Sequence, residues 1–408
     1  MADRPLAGNA DVEVCLRWIS EDACHVERLF IEKFNFWRDI VPRKLVLQMD
    51  GWKEGETIRE SFEPGELIPQ RSEGLMVTVN RNQVDSTFEG HPITLIAGAF
   101  FPRGIASKAL MVFPQDIRPM QIVSVTDDQV AVNLNHPLAG LPLELSMHLH
   151  RIDDADRASG GRCNEIVESI TNGGPGMQAL FDAPAPCIDG TPLRRVDEGD
   201  DARFYEDPRL VQHMDAEAER QVSRLYGRLI PQGADILDLM TSWNSHLPES
   251  LASSRVVGLG LNEEELRVNT ALSSYTLQDL NANPVLPFED EAFHAVICTS
   301  SVEYAIHPVA LFKEVARVLK PRGVFIVTFT DRWFPLKVTL PWPQLTSFEH
   351  MGLVLEYFRA AGDFAEYHTE SRRGWPRPLD DKYFPERLKA DPLMAVWGTK
   401  VRPRTLES

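Results

Sequence analysis

Short apolar runs separated by helical patterns organise the stretch of the chain from residue 234 to residue 330. The runs at 234–239, 255–261, 295–298 and 324–329, with a weaker one at 275–280, have the length and composition of strands buried on both faces. Between the last two strong runs, residues 308–320 place apolar side chains on one helical face, beginning at Pro308. Strand and helix in alternation predict an α/β fold, a doubly wound parallel sheet with right-handed crossovers.

Ligands of such sheets lie beyond the carboxyl ends of the strands. We therefore expect the chemistry of this chain in the loops that follow Leu239, Leu261, Leu280 and Cys298.

Three segments in this stretch carry a family resemblance. Residues 286–298, 303–308 and 317–324 resemble, in this order and at this spacing, the approach to the fourth strand, the loop after it and the turn before the fifth strand of class I S-adenosylmethionine-dependent methyltransferases. The resemblance implies a Rossmann-like domain, S-adenosyl-L-methionine as the cofactor and methyl transfer as the reaction.

The loop after the first strand departs from that family. The family has a glycine-rich turn there, whereas residues 238–248 contain no glycine, and Trp243, Asn244 and His246 stand in its place. These residues form either a modified cofactor cradle or a collapsed loop that fills the site with an indole. At the end of the second strand the family's acidic residue is replaced by Gly260, which leaves the following Asn262 or Glu263 as substitutes.

The resemblance and the strand ends together predict the site residues. The predicted cofactor-binding residues are Asp238, Trp243, Asn262, Asp279, Leu280 and Ser300, with Asp279 as the counterpart of the family's carboxylate near the adenine. The predicted catalytic residues are Glu303 and His307, which follow the fourth strand and could act as bases. Two alternatives stay open for them: carboxylate and imidazole at a helix start, and methyl transfer by proximity alone.

Residues 12–152 predict a second, mostly antiparallel β unit with one short helix at 41–51. Strand patterns occur at 55–62, 121–125, 129–134 and 143–149, while residues 14–37 give no clear pattern. The hexapeptide at 135–140, with the segments 41–42, 51–56 and 62–66, resembles the bacterial SlyD-like FKBP-type prolyl isomerases.

That resemblance implies a domain that binds peptides or substrates. At the pocket floor, however, Arg43 and Lys44 occupy positions where the family has a small residue followed by an apolar one. Charge in an apolar, desolvating pocket disfavours isomerase catalysis.

Residues 153–202, rich in Asp, Gly and Pro, are predicted to be a linker, and residues 203–400 to be the methyltransferase-like domain. Within that domain, patterns at 213–228 and 346–361 predict helices, and those at 364–369 and 393–398 predict a final antiparallel pair of strands.

Composition narrows the partners. The formal net charge of −18 disfavours nucleic acid as a partner. The sequence contains no run of about 18 apolar residues, so no membrane span is predicted. The five cysteines are scattered and odd in number, which indicates reduced thiols in a cytoplasmic compartment, and no metal site is predicted.

The preferred hypothesis is an S-adenosylmethionine-dependent methyltransferase with an FKBP-like accessory domain, acting on a small molecule or on a peptide or protein. The alternative is a non-catalytic folding-assistance or scaffold protein that has lost cofactor binding and isomerase activity. A nicotinamide-dependent dehydrogenase is disfavoured because no Gly-x-Gly-x-x-Gly follows any candidate strand.

Overall fold

The structure is a computed structural model that describes residues 8–88, 91–153, 163–179 and 191–401 of the chain. It divides into two units that are not simple halves of the sequence. The first unit comprises residues 1–183, 344–352 and 372–375, and the second comprises 184–343, 353–371 and 376–408.

The elements of the described chain up to residue 179 are, in order, β1 (Asn9–Ile19), β2 (Ala23–Asn35), α1 (Arg43–Val46), β3 (Thr57–Phe62), β4 (Met76–Asn80), β5 (Thr87–Phe88), β6 (His91–Pro92), β7 (Phe100–Pro102), α2 (Ser107–Leu110), β8 (Pro119–Val125), β9 (Gln129–Asn133), β10 (Leu143–Asp153) and α3 (Ile166–Thr171).

From residue 191 onward the elements are α4 (Asp201–Phe204), α5 (Ala216–Leu229), β11 (Asp235–Leu239), β12 (Arg255–Gly260), α6 (Glu263–Val268), β13 (Ser274–Leu277), β14 (Phe293–Thr299), α7 (Pro308–Val318), β15 (Leu319–Phe329), α8 (Ser347–Ala361), β16 (Phe364–Arg373) and β17 (Leu393–Lys400).

In the first unit, β2, β1, β10 and β3 lie side by side in that order, and each neighbouring pair is antiparallel. A separate sheet has the order β4-β9-β8-β7 and is also antiparallel. The predicted strands at 55–62, 121–125, 129–134 and 143–149 are confirmed as β3, β8, β9 and β10. The unassigned residues 14–37 form most of β1 and β2; β1 is buried on both faces along much of its length, so its sequence does not alternate.

Two late stretches of the chain complete the first unit. The Glu349 carboxylate accepts a hydrogen bond from the Phe100 backbone N–H at 2.8 Å, and Trp375 stacks on Phe30 with 4.0 Å between ring centroids. The Arg373 guanidinium forms an ion pair with Glu27, whose side chain is fully buried. The unit therefore draws on residues more than 300 positions apart in sequence.

The expected charged pocket floor is wrong. Arg43 and Lys44 are exposed on the short helix α1, and Lys44 pairs with Glu66 at 2.8 Å, while the neighbouring Leu45 is completely buried. One helical turn places its charged and apolar residues on opposite sides, which sequence position alone did not show.

The division of the chain also differs from the prediction. The first unit includes β1, which begins before residue 12, and the described residues of the predicted linker 153–202 belong to one unit or the other. Its described residues 163–179 contain α3, with Ile166 and Ile170 fully buried in the core of the first unit, and residues 191–202 belong to the second unit. Glycine and proline are compatible with packed irregular backbone as well as with a free linker.

The second unit has the strand order β13-β12-β11-β14-β15-β17-β16. The strands from β13 to β15 are parallel to their neighbours, and β17 is antiparallel to β15. The predicted strands and the helices α5, α7 and α8 are confirmed. The chain moves outward from β11 to β13 and then returns to β14, so the topological switch point lies between β11 and β14.

Candidate active site

The loop after β11 folds as a tight turn without glycine. Met240 adopts a left-handed backbone conformation, with φ of 55°, directly after the strand, and His246 does the same with φ of 54°. Non-glycine residues adopt this conformation at an energetic cost, and such residues cluster at functional sites. The turn is held in place because the Thr241 N–H donates to the Leu259 carbonyl at 2.8 Å and the Ser301 hydroxyl donates to the Met240 carbonyl at 3.2 Å.

Asp238 is buried at the end of β11 and forms a hydrogen bond with this turn. Its carboxyl accepts a hydrogen bond from the Thr241 hydroxyl at 2.6 Å. Desolvation by burial raises the pKa of Asp238 to about 7, although the Ser245 and Thr241 hydroxyls act in the opposite direction. The group can therefore exist with or without its proton near neutral pH.

The end of β12 has no room for a side chain. A Cβ on Gly260 would lie 2.3 Å from the Thr241 carbonyl oxygen, well inside van der Waals contact. The glycine therefore follows from the shape of the preceding loop, and an acidic residue cannot stand at this position while the loop keeps its path.

A carboxylate reaches this region from α6 instead. Glu265 is buried, and its two oxygens accept hydrogen bonds from the Ser242 hydroxyl and the Arg209 backbone N–H, both at 2.6 Å. Sequence reasoning missed this residue. Its signal is the spacing Asn262-x-x-Glu265, a capping-box pattern that places Glu265 at the third position of a helix, next to the capping residue.

Asn262 acts as a brace for the wall of the site. Its side-chain oxygen accepts from the Glu265 backbone N–H at 3.1 Å, and its side-chain nitrogen donates to the backbone carbonyls of Tyr205 and Glu206, both at 2.9 Å. Glu263, the other predicted substitute, is exposed. The polar atoms of Asn262 are thus engaged within the protein.

The loop after β13 carries Asp279 and Leu280. The Asp279 carboxylate accepts from the backbone N–H groups of Asn281 at 2.8 Å and Ala282 at 3.3 Å, which fixes the turn, while Leu280 is buried. After β14, Ser300 has a left-handed φ of 46°, and its buried hydroxyl has no hydrogen-bond partner among the residues that the structure describes.

The opposite wall comes from segments that the sequence did not indicate. Tyr205, His213 and Phe334 form a cluster of edge-on rings, in which the His213 and Phe334 centroids are 5.6 Å apart. Arg209 lies over this cluster, with its guanidinium carbon 5.3 Å from the centre of the Tyr205 ring. These residues come from the chain before α5 and after β15, where no family motif marks them.

These elements enclose a cavity of about 340 Å³, within the range of small-molecule sites. All six predicted cofactor-binding residues line it: Asp238, Trp243, Asn262, Asp279, Leu280 and Ser300. The indole of Trp243 does not fill the cavity but forms part of its wall, donating from Nε1 to the Val211 carbonyl at 3.2 Å.

The two predicted catalytic residues are not among those lining residues. Glu303 is buried behind the wall, where desolvation raises its pKa to about 8, and one of its carboxyl oxygens has no partner among the described residues. His307 precedes the first residue of α7 as its capping residue. The structure therefore brings together the predicted cofactor residues but not the predicted bases.

No group of three or more side chains suited to a metal ion occurs in the described ranges. Among the helices of the described ranges, none combines the length and the apolar character that a membrane crossing needs.

Comparison with known families adds to this geometry. Residues 241–327 match a family model described as a methyltransferase domain, and this range contains the strands from β12 to β14 and the loops that follow them. The second unit therefore contains a methyltransferase domain. S-adenosylmethionine is the cofactor that such a domain implies.

A stretch of 92 residues, 22% of this chain, is 34% identical to the ubiquinone/menaquinone biosynthesis C-methyltransferase UbiE of Chromobacterium violaceum. The match spans 36% of that enzyme's length, about one third.

Solved structures with similarity include a SAM-dependent methyltransferase of Thermotoga maritima, at 16% identity and a TM-score of 0.33 over 45% of this chain and 91% of that chain. The phosphoethanolamine N-methyltransferase 2 of Haemonchus contortus, in complex with S-adenosyl-L-methionine, is likewise similar at 16% identity and a TM-score of 0.33, over 45% of this chain and 53% of that chain.

The residues of the methyltransferase domain fit this cofactor. The Ser300 hydroxyl is a buried polar group that lacks a partner within the described chain, at the wall of a cavity large enough for a small molecule. Met240, which lines the cavity, adopts the left-handed conformation where the family uses glycine. Carboxyl and amide groups of Asp279 and Gln278 supply acceptors for hydroxyl and amino groups.

Proposed function

We propose that this protein is an S-adenosylmethionine-dependent methyltransferase that acts on a small molecule or on a peptide or protein. The observation that carries the proposal is the convergence of six predicted cofactor residues on one cavity at the switch point between β11 and β14. The sulfonium of S-adenosylmethionine, when bound, supplies an electrophilic methyl group.

In this proposal the side chains bind and orient rather than react. Asp279 and Ser300 would hold polar groups of the cofactor, and the Met240 turn would approach it with backbone. Tyr205, Trp243 and Phe334 would exclude water from the cavity. Since neither Glu303 nor His307 lines the cavity, transfer would rest on proximity and alignment of the acceptor.

We further propose that the first unit is an FKBP-like accessory domain that binds peptides or substrates. Support comes from the hexapeptide at 135–140, which forms a buried turn: the His136 ring accepts from the Leu138 N–H at 3.0 Å, Leu138 is fully buried and Gly140 has a left-handed φ of 84°. The separate sheet formed by β4, β7, β8 and β9 lies in sequence between β3 and this turn, as an inserted lobe would.

Calorimetric titration with S-adenosylmethionine and S-adenosylhomocysteine tests the cofactor. We expect saturable binding to the wild-type chain, and Asp279→Ala should weaken it at least tenfold, whereas Glu263→Ala, a change of an exposed carboxylate near the same site, should leave it unchanged. Absence of binding to either ligand at millimolar concentration would refute the methyltransferase proposal and favour the alternative of a scaffold that has lost cofactor binding.

A further inference from the structure

The cavity of the methyltransferase domain contains positive charge that the described part of the chain does not neutralise. Three cationic side chains line the cavity: Arg209, Arg332 and Lys382. Arg332 pairs with Asp391 at 2.6 Å. Arg209 and Lys382, in contrast, have no carboxylate partner among the residues that the structure describes.

The four carboxyl side chains that line the cavity contact groups other than the guanidinium of Arg209 and the ammonium of Lys382. Glu265 accepts from Ser242 and from the Arg209 backbone, and Asp279 accepts from its own turn. Asp201 pairs with Arg195 at 2.8 Å and with Lys337 at 3.0 Å. The remaining carboxyl, Asp238, is buried under the β11 turn with its pKa raised to about 7.

The guanidinium of Arg209 has contacts on its face but incomplete hydrogen bonding at its edge. Its plane lies near three aromatic rings, with centroid distances of 4.6 Å to Phe204, 5.3 Å to Tyr205 and 5.4 Å to Phe334, and Nη2 donates to the Phe204 carbonyl at 2.8 Å. Nη1 is buried and has no hydrogen-bond partner within the described chain. A guanidinium held by rings on its face keeps its in-plane N–H groups for a carboxylate or phosphate.

A donor that is buried without a partner is uncommon in folded proteins, and Nη1 of Arg209 is one within the described chain. Such a donor lowers the stability of the fold unless a ligand or a water molecule accepts its hydrogen bond. The aromatic side chains Tyr205, Trp333, Phe334 and Tyr383 line the same cavity and offer apolar, flat surfaces.

We propose that the methyl acceptor is an anion with a flat apolar body, bound by Arg209 and Lys382 against the aromatic wall. This inference rests on the proposed function in that it treats the cavity as the place where cofactor and acceptor meet. It makes anionic acceptors the expected class, because Arg209 and Lys382 lack a carboxylate partner within the described chain.

A matched pair of probes tests the charge requirement: 4-fluorobenzoate and the nearly isosteric, neutral 4-fluorobenzamide. Their binding is followed by fluorine NMR line broadening, with and without saturating S-adenosylhomocysteine. We expect the anion to bind at least tenfold more tightly than the amide. Arg209→Gln and Lys382→Gln should each weaken binding of the anion at least threefold and leave binding of the amide unchanged, while Arg209→Lys should lose less than Arg209→Gln.

Arg224→Gln is the control variant, because Arg224 is exposed on α5 and is not a cavity residue. Equal binding of both probes, or an equal loss in the Arg224 variant, would overturn the inference while S-adenosylhomocysteine binding upholds the proposed function. Conversely, failure of S-adenosylhomocysteine to bind would remove the proposed function, and the titrations without it would still decide whether the cavity selects anions. Lys382 is exposed, so its variant serves even where replacement of Arg209 impairs folding.

Discussion

Gly260 provides a sharp test of the site geometry, because the structure and the family pattern lead to opposite expectations for it. An acidic residue at this place would restore the family's pattern. The structure, however, places a Cβ at this position 2.3 Å from the Thr241 carbonyl oxygen. Even Gly260→Ala would therefore require the turn after β11 to move by about 1 Å to reach ordinary contact.

The turn cannot make that movement freely. The Thr241 N–H is bonded to the Leu259 carbonyl at 2.8 Å, and its hydroxyl to Asp238 at 2.6 Å. Overpacking of a fixed site costs about 1–3 kcal/mol, and each weakened hydrogen bond adds about 1 kcal/mol. We expect Gly260→Ala to lower the free energy of unfolding of the second unit by about 2–4 kcal/mol and to weaken S-adenosylhomocysteine binding.

Gly258→Ala is the matched control on the same strand. There the nearest atom to the added Cβ is a methyl group of Leu272 at 2.6 Å, the far end of a flexible side chain. Urea denaturation monitored by circular dichroism compares the two variants, with the transition of the second unit identified by its shift in the presence of S-adenosylhomocysteine. Equal midpoints for the two variants, or improved cofactor binding by Gly260→Asp, would refute the steric reasoning.

Three further predictions concern buried charge. Burial raises the pKa of Asp238 to about 7, so the folded state holds this proton over a pH range where the unfolded chain releases it. The contribution of Asp238 to stability therefore falls as pH rises from about 4 to 7. Asp238→Asn should flatten the fall of the thermal midpoint over that window, and parallel pH profiles of the two proteins would contradict this reasoning. Glu265→Gln should weaken S-adenosylhomocysteine binding about tenfold, because Glu265 holds both Ser242 and the backbone of residue 209. In calorimetry, the control variant Glu263→Gln on the same helix should bind S-adenosylhomocysteine as the wild type does, and equal affinities of the two variants would show that Glu265 does not contribute to the site. Arg377 is almost fully buried and pairs with Asp215, Asp381 and Asp391. Arg377→Met removes the guanidinium from these three carboxylates, so it should lower the free energy of unfolding by about 3–5 kcal/mol in urea denaturation. A loss under about 1 kcal/mol would show that water replaces the guanidinium.

The sheet of the second unit was predictable because its strands are continuous apolar runs. Such runs arise where helices cover both faces of a parallel sheet, so composition alone marks them. The strands β1 and β2 were not predictable for a related reason: β1 is buried along most of its length, but it contains charged residues at Glu13 and Arg17 that interrupt the apolar run. Glu13 is paired with Arg28 at 2.8 Å, a contact that a single sequence does not reveal.

The site was predictable only at its strand ends. Asp238, Asp279 and Ser300 follow strands and therefore meet at one edge of the sheet. The aromatic wall with Arg209, in contrast, is built by irregular segments far apart in sequence, and Glu265 reaches the cavity by the turn of a helix rather than from a strand end. Glu303 was expected at the cavity, but it is buried and does not line it, whereas its neighbour Tyr304 does. A difference of one position along the chain decides which side chain reaches the cavity.

The makeup of the first unit has a consequence for how the chain is synthesised. Glu349, Arg373 and Trp375 contribute to that unit, yet they leave the ribosome after most of the second unit. After Glu27 is translated, more than 300 further residues must be added before Arg373 can pair with it, which takes about 17–70 s at roughly 5–20 residues per second. During that interval the N-terminal part of the chain lacks residues that complete the first unit. A fragment ending near residue 183 would lack them permanently.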